Sequence, residues 1–455
     1  MELYCFKKKY LIFLLLLLSV NFYANERDLF SFSVSKKIKL IEGKENKKII
    51  KLFLKKWKSN SFSENDKDII VHYVSDFENR NFNQDYYIDF FSFCNYLIDI
   101  NPNKLSNWLS LSVSSINSLS DYELKLFLQT NRRIIKKNIL FEMDDFSWSF
   151  SGEFSLLFRD NKPFYSLNLD SLILSNDYNQ IVIYNTQGEF NMISKVFEAK
   201  GGYIGWERID IPIDKRRVLL GTYELDFTNR KINFEDVVLE NNLHFTINSQ
   251  GRFIDYLSRA KKQNSYPKFY ATEESQTGTF FGGFSCTGLV SIIKDKIYFK
   301  SKDNEFVKLI YNNDDFSGEF VCQSISLKDS SLSSGKVSSK FFFNENKDSI
   351  FHPEMRMSYD HNNKQILFNR LNNTYLSDRP ILNSYHALNI YADILKVNLE
   401  QKNMFILSTC VANKNYILFE SLDYYNNSRY KDLDFSSSNM LDILLIYINN
   451  YEKRN

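Results

Sequence analysis

Three pairs of adjacent carboxylates, Asp144-Asp145, Glu273-Glu274 and Asp314-Asp315, are the first residues whose type could do chemistry. Two carboxylates converging on a substrate can divide the acid and nucleophile roles of a glycan-cleaving site. Successive side chains of a strand point to opposite faces, so an adjacent pair does not supply that convergence. The pairs are expected to be solvated turn residues. His352 precedes Pro353, His361 sits in a polar turn and His386 follows Tyr385. A histidine can act as acid, base or ligand, yet no carboxylate or cysteine stands at a recognisable spacing from any of these. The cysteines lack the paired spacing of a zinc site. Phosphate-cradling loops, the nucleophile elbow and the metalloprotease helix motif are all absent. The sequence therefore supplies no catalytic residue, no cofactor site and no metal site.

Two sets of residues suit surface contact instead. Lys47, Lys48, Lys51, Lys55 and Lys58 share one face of a helical period, with Ile49, Ile50, Phe53, Leu54 and Trp57 on the other. Such a face could lie on an anionic membrane surface, and it is equally the solvated side of a bundle helix. Trp148, Tyr203 and Trp206 could stack on sugar rings if exposed, whereas alternating strands more often turn such residues inward. Nucleic acid is not an expected partner. The 57 basic and 55 acidic residues leave a net charge of +2, where a general nucleic-acid binder carries a marked basic excess.

These residues must be held by two kinds of element. Helical periods continue through Asp66–Phe77, Tyr86–Ile98 and Leu105–Ile116, and a capping-box pattern, Ser120-x-x-Glu123, opens a fifth run. The third is apolar over much of its circumference and should be the buried member of a small antiparallel bundle. From Trp148 and Phe150 the apolar period becomes two, and short strands follow to about residue 420. Polar turns punctuate them at Thr228–Lys231, Asn344–Lys347 and Asp360–Lys364. Gly201-Gly202 and Gly282-Gly283 stand where strand patterns break and suit bulges or tight corners. Residues 253–262 suggest a short interrupting helix. The expected fold is mainly β, a β-solenoid or an elongated stacked-sheet sandwich, with a small N-terminal α-helical bundle. The expected division is 25–140 helical, 141–430 a β-repeat body, and 431–455 a short helical tail that could begin a truncated further domain.

Residues 1–24 have the form of an export signal, with Lys7, Lys8 and Lys9 before the apolar run Leu11–Val20. An uncleaved anchor is the alternative, although Tyr10–Ala24 is short for a spanning helix, which needs about 20 apolar residues. Export would place Cys94, Cys286, Cys322 and Cys410 in an oxidising compartment. Cys286 and Cys322 could then bridge neighbouring strands or stay as isolated buried thiols.

The runs Gly201–Arg208, Gly282-Gly283-Phe284-Ser285, Asp348–Pro353 and Ser384-Tyr385-His386 resemble very large exported β-repeat proteins of Gram-negative bacteria, whose function is unknown. The resemblance is to the N-terminal portion of those longer proteins, covers the β body and could extend to the helical region before it, and implies a periplasmic or outer-membrane-associated location. It implies no catalytic residue. The expectation is a non-catalytic envelope structural or binding protein with an extended β-repeat surface. Its partner would be an envelope protein, a glycan or a lipid, with peripheral membrane contact. The alternatives are a lipid-handling groove like the bridge proteins that move lipopolysaccharide, and a polysaccharide-processing β-helix enzyme.

Overall fold

The computed structural model describes residues 42–59, 61–116, 118–160, 162–260, 266–302, 306–313, 317–343, 347–371, 379–408 and 417–422. Residues 1–24, Asp314-Asp315, Cys410 and the tail at 431–455 lie outside the described residues. The chain divides into two compact units, one of residues up to Val238 with Phe253–Tyr266, the other of Leu239–Arg252 with the residues from Pro267 onward.

Five helices open the first unit: α1 Lys44–Lys58, α2 Glu64–Asn79, α3 Gln84–Ile100, α4 Pro102–Ile116 and α5 Asp121–Lys137. Their ends follow local chemistry. Ser63 and Ser120 each form a complete capping box, with Asp66 and Glu123 respectively, which satisfies N–H groups that the first helical turn leaves unpaired. Asn101 ends α3 in an extended conformation, and Pro102 starts α4, where its missing N–H costs nothing. As the sequence predicts, α3 is buried over most of its circumference. Its rings form the bundle core: Phe91 stacks on Phe53 of α1 at 4.1 Å, Phe90 on Tyr73 of α2 at 4.6 Å, and Phe93 lies 4.1 Å from Trp108 of α4.

The bundle packs on the start of a sheet: β1 Ile139–Met143, β2 Phe146–Arg159, β3 Lys162–Ser175, β4 Gln180–Asn191, β5 Val196–Lys200, β6 Tyr203–Gly205, β7 Arg216–Leu219, β8 Thr222–Asp226, β9 Lys231–Asn241 and β10 Ile247–Tyr256. Phe127 of α5 meets Phe158 of β2 edge to face, and the Tyr165 hydroxyl of β3 donates to Asn131 Oδ1 of α5 at 2.5 Å. The inward face of the sheet is folded onto itself. Trp148 of β2 stacks on Phe227, which follows β8, at 4.5 Å, and its Nε1 donates to the Phe227 carbonyl at 3.1 Å.

In the second unit follow β11 Lys268–Ala271, β12 Ser275–Gln276, β13 Phe284–Ile293, β14 Lys296–Lys300, β15 Val307–Asn312, β16 Ser317–Cys322, β17 Ser324–Lys328, β18 Ser331–Phe343, β19 Asp348–Asp360, β20 Gln365–Asn369, β21 Ile381–Asn383, β22 Leu388–Tyr391, β23 Ile394–Asn398, β24 Asn403–Leu407 and β25 Leu418–Ser421. Every strand pair with a described register is antiparallel, and besides hairpin neighbours several strands pair with partners two or three places on in the chain, such as β4 with β6 and β5 with β8. The protein is thus mainly β with a small N-terminal helical part. Antiparallel hairpin succession favours the sheet alternative over a solenoid of parallel coils.

One arrangement recurs. A long strand pairs with two short strands lying end to end along it, and each of these pairs onward with one of two more. β4 carries β5 and β6, which pair with β8 and β7. β13 carries β14 and β15, which pair with β17 and β16. β19 carries β20 and β21, which pair with β23 and β22. The self-similarity that the sequence shows only loosely is therefore a repeat of pairing rather than of residues.

Over the described part of the expected helix, residues 253–260, no helix is formed. Phe253, Asp255 and Leu257 are buried while Tyr256 between them is exposed, which is the period of two of a strand, and Phe253–Tyr256 complete β10. Clustered apolar residues gave the helical impression, and the cross-strand register overrides it.

Candidate functional site

The Gly201-Gly202 corner leads into a segment, β6 and the turn after it, that borders a cleft next to the sequence candidate Tyr203. Gly202 takes φ +98°, and a Cβ there would stand 2.6 Å from the Tyr184 carbonyl. The chain bends at this point from β5 into β6, then runs through a 3-10 turn at Glu207–Ile209 and returns in β7. A cleft of about 230 Å³ lies beside it, lined among others by Tyr184, Ile204, Glu207, Arg208 and Asp255.

The cleft has an aromatic side and a charged side. Tyr184 and Tyr203 are cross-strand partners whose half-buried rings stack at 5.4 Å with 22° between planes. The Arg217 guanidinium lies 5.3 Å from the Tyr203 ring centroid, a cation–π arrangement. Tyr184 hydrogen-bonds Glu207, and burial, then the Glu207 charge, raise its hydroxyl pKa. On the other side Arg208 ion-pairs with Asp255, which is 2% exposed. Burial pushes the Asp255 carboxyl up to about 6, against the opposing pull of Arg208. Asp255 accepts from Arg208 and from the Tyr256 N–H, so it pins the 3-10 turn to β10 and is sealed from solvent. A carboxylate held this way is a structural latch between the 3-10 turn and β10.

The sequence candidates divide accordingly. Tyr203 is half-buried and stacks on Tyr184, which lines the cleft. Trp148 and Trp206 are buried to 1% and 0% exposure and are corrected to core residues. Trp148 is enclosed by Phe227, and Trp206 by Phe253 and the Arg216 guanidinium. Sequence alternation placed them inward, and neither tryptophan offers an exposed ring to a ligand. Lys47, Lys48, Lys51, Lys55 and Lys58 are all exposed on one side of α1. The opposite side is used up by packing, so α1 cannot lay its apolar face into a bilayer. Tyr184, Glu207 and Arg217 were missed. The alternation around Ile183 and Ile204 was their available signal, because it turns their neighbours outward.

The remaining chemistry-bearing residues are structural. Asp144 and Asp145 occupy the β1–β2 turn, where Asp145 pairs with Arg230 and Arg259. Glu273 and Glu274 are exposed in the bend between β11 and β12, and Glu274 accepts from the Lys302 N–H. His352 is 4% exposed, and burial lowers its pKa. Its Nδ1 accepts from the Glu354 N–H at 3.0 Å, which leaves Nε2 to donate to the Arg379 carbonyl at 3.1 Å. His361 stacks on Phe281.

Cys286 and Cys322 are free and buried. Cys286 pairs with Leu309 of β15, and Cys322 pairs with Val307 of the same strand. Strand β15 therefore lies between them. Strands are about 4.8 Å apart, so two intervals exceed the roughly 7 Å that a disulfide spans between Cα atoms. Of the two alternatives the sequence leaves open, register excludes the bridge and the two stay as buried thiols. Among the described residues, no group of His, Cys, Asp and Glu is arranged to hold a metal ion.

No protein-family model matches the chain, and no curated protein or solved structure is significantly similar to it.

Proposed function

We propose that this chain is a non-catalytic, exported envelope protein whose sheet surface binds an envelope glycan at the Tyr184–Tyr203 stack, beside the cleft that Tyr184 lines. The observation that carries this reading is the half-buried tyrosine stack flanked by Arg217 and Glu207. Sugar rings present an apolar face bordered by hydroxyls, and they are met by aromatic faces bordered by charged hydrogen-bonding groups. Export rests on the form of residues 1–24, and the non-catalytic reading on the sealed state of Asp255. The lipid-groove alternative needs an apolar trough open along the sheet. Phe190, Phe197 and Phe227 of the inward face are each at most 1% exposed, which favours a closed core.

The test is co-sedimentation of the chain with insoluble envelope polysaccharide, comparing the parent with Tyr203→Ala. Loss of one stacked ring should weaken binding by about 1 kcal/mol, or roughly fivefold. Circular dichroism should be unchanged, since the ring is half-exposed. Equal retention of both proteins would reject the cleft as the contact.

A further inference from the structure

We propose that the lysine face of α1 is a docking surface for the anionic phospholipid headgroups of a membrane, held by charge alone and not by insertion. This goes beyond the glycan cleft and does not depend on it.

Lys44, Lys47, Lys48, Lys51, Lys55 and Lys58 are exposed. At about 100° per residue, all six fall within an arc of about 100°. The stripe runs the 15 residues of α1, roughly 22 Å. Among the described residues none of the six forms an ion pair. Lys56, which lies off the stripe, is the lysine that the bundle uses: it bonds the Asn95 carbonyl and pairs with Asp99. One acidic residue, Glu45, stands in the first turn. Lys136 at the end of α5 is exposed and within electrostatic reach of Glu45, so it extends the positive surface.

Six like charges side by side repel one another, and among the described residues no ion pair offsets that cost. An extended anionic surface would. The opposite face of α1 excludes the usual amphipathic mode, because Ile50, Phe53, Leu54 and Trp57 are buried in the bundle. Contact is left to the lysines, with exposed Leu52 beside them. A bilayer fits better than a linear polyanion because the six charges form one straight, solvent-facing stripe on a rigid helix, which can lie flat against a planar anionic surface.

The experiment is sedimentation of the full chain with vesicles of phosphatidylglycerol and phosphatidylcholine, or of phosphatidylcholine alone. The readout is the ratio of the two affinities, which cancels any insertion by the N-terminal apolar run. Each lysine near an anionic surface contributes about fivefold. Lys47→Glu, Lys51→Glu and Lys55→Glu together should therefore lower the ratio by at least about a hundredfold. Raising salt to 0.5 M should also collapse the parent's ratio, because screening shortens the reach of exposed charges. The three positions are solvent-facing, and unchanged helical circular dichroism verifies that the variant is folded. The neutral Lys→Gln triple variant provides a second measure and should show an intermediate ratio. A ratio that survives in both variants would overturn the proposal and place anionic preference elsewhere, at Lys7–Lys9 for example. Equal or tighter retention of soluble single-stranded DNA by the same lysines would overturn the lipid assignment.

Discussion

Burial pushes the Asp255 carboxyl up to about 6 even though Arg208 pairs with it and the Tyr256 N–H donates to it. Desolvation of the charged form outweighs both favourable contacts, so the fold prefers this group protonated. The sign for stability follows. In the unfolded chain an aspartate titrates near 3.9. The folded-state value is higher, so the contribution is fully present below about pH 4 and is lost as pH rises through about 6. Two pKa units correspond to about 3 kcal/mol. Asp255→Asn cannot ionise, and its stability relative to the parent should therefore rise by up to about 3 kcal/mol between pH 4 and pH 7. Chemical denaturation of both proteins at each pH measures this directly. A parallel course of the two curves would show that Arg208 compensates the burial fully. The sequence carried a faint sign of this residue. Asp255 sits between Phe253 and Leu257 on the inward phase of an alternating run, but the apolar cluster around it suggested a helix and hid the phase.

Turns repeat more faithfully than strands. Asn191–Lys195, Asp360–Lys364 and Asn398–Lys402 are each an Asx residue followed by four turn residues. The Asx side chain accepts the N–H two residues on, and the lysine closes the turn with φ of 63°, 51° and 57° respectively. Consecutive turns are tied together. Phe227 N–H donates to the Lys195 carbonyl, and Leu399 N–H to the Lys364 carbonyl, both at 2.9 Å. Asp360–Lys364 was readable in the sequence, because Asp and Asn favour such turns by bonding their own backbone. The breaks that split a row into two short strands were readable only where glycine marks them. Gly201-Gly202 shows the break between β5 and β6, whereas Ala392-Asp393 between β22 and β23 gives no comparable signal. The two glycines are also not equivalent. Gly201→Ala meets nothing within 4 Å, and its cost is that of a positive φ. Gly202→Ala would drive a Cβ against the Tyr184 carbonyl at 2.6 Å. Thermal unfolding should show Gly201→Ala losing about 1 kcal/mol and Gly202→Ala about 3 kcal/mol, with the order decisive.

What closes the sheet upon itself was not legible at all. A period of two announces strands and an inward face, but it does not say which inward residues meet. Trp148 finds its partner at Phe227, 79 residues away, and no local pattern encodes that distance. The same holds for the cysteines. Their burial follows from alternation, whereas β15 between Cys286 and Cys322 follows from the order of strands in the sheet. The consequence is a fold held by packed rings and ladder hydrogen bonds, with no covalent tie among Cys94, Cys286 and Cys322. Burial also raises the pKa of all three thiols, so the reactive thiolate is suppressed as well as hidden. Two results are expected. Reductant should leave the unfolding midpoint unchanged to within about 0.5 kcal/mol, against the 2–5 kcal/mol that a native disulfide typically contributes. In the native chain, peptide mapping after alkylation at pH 8 should find these three cysteines unmodified, and in denaturant fully modified without prior reduction. Recovery of a Cys286–Cys322 peptide pair would contradict the strand order itself, since only removal of β15 from between them would bring the two sulfurs within bonding distance.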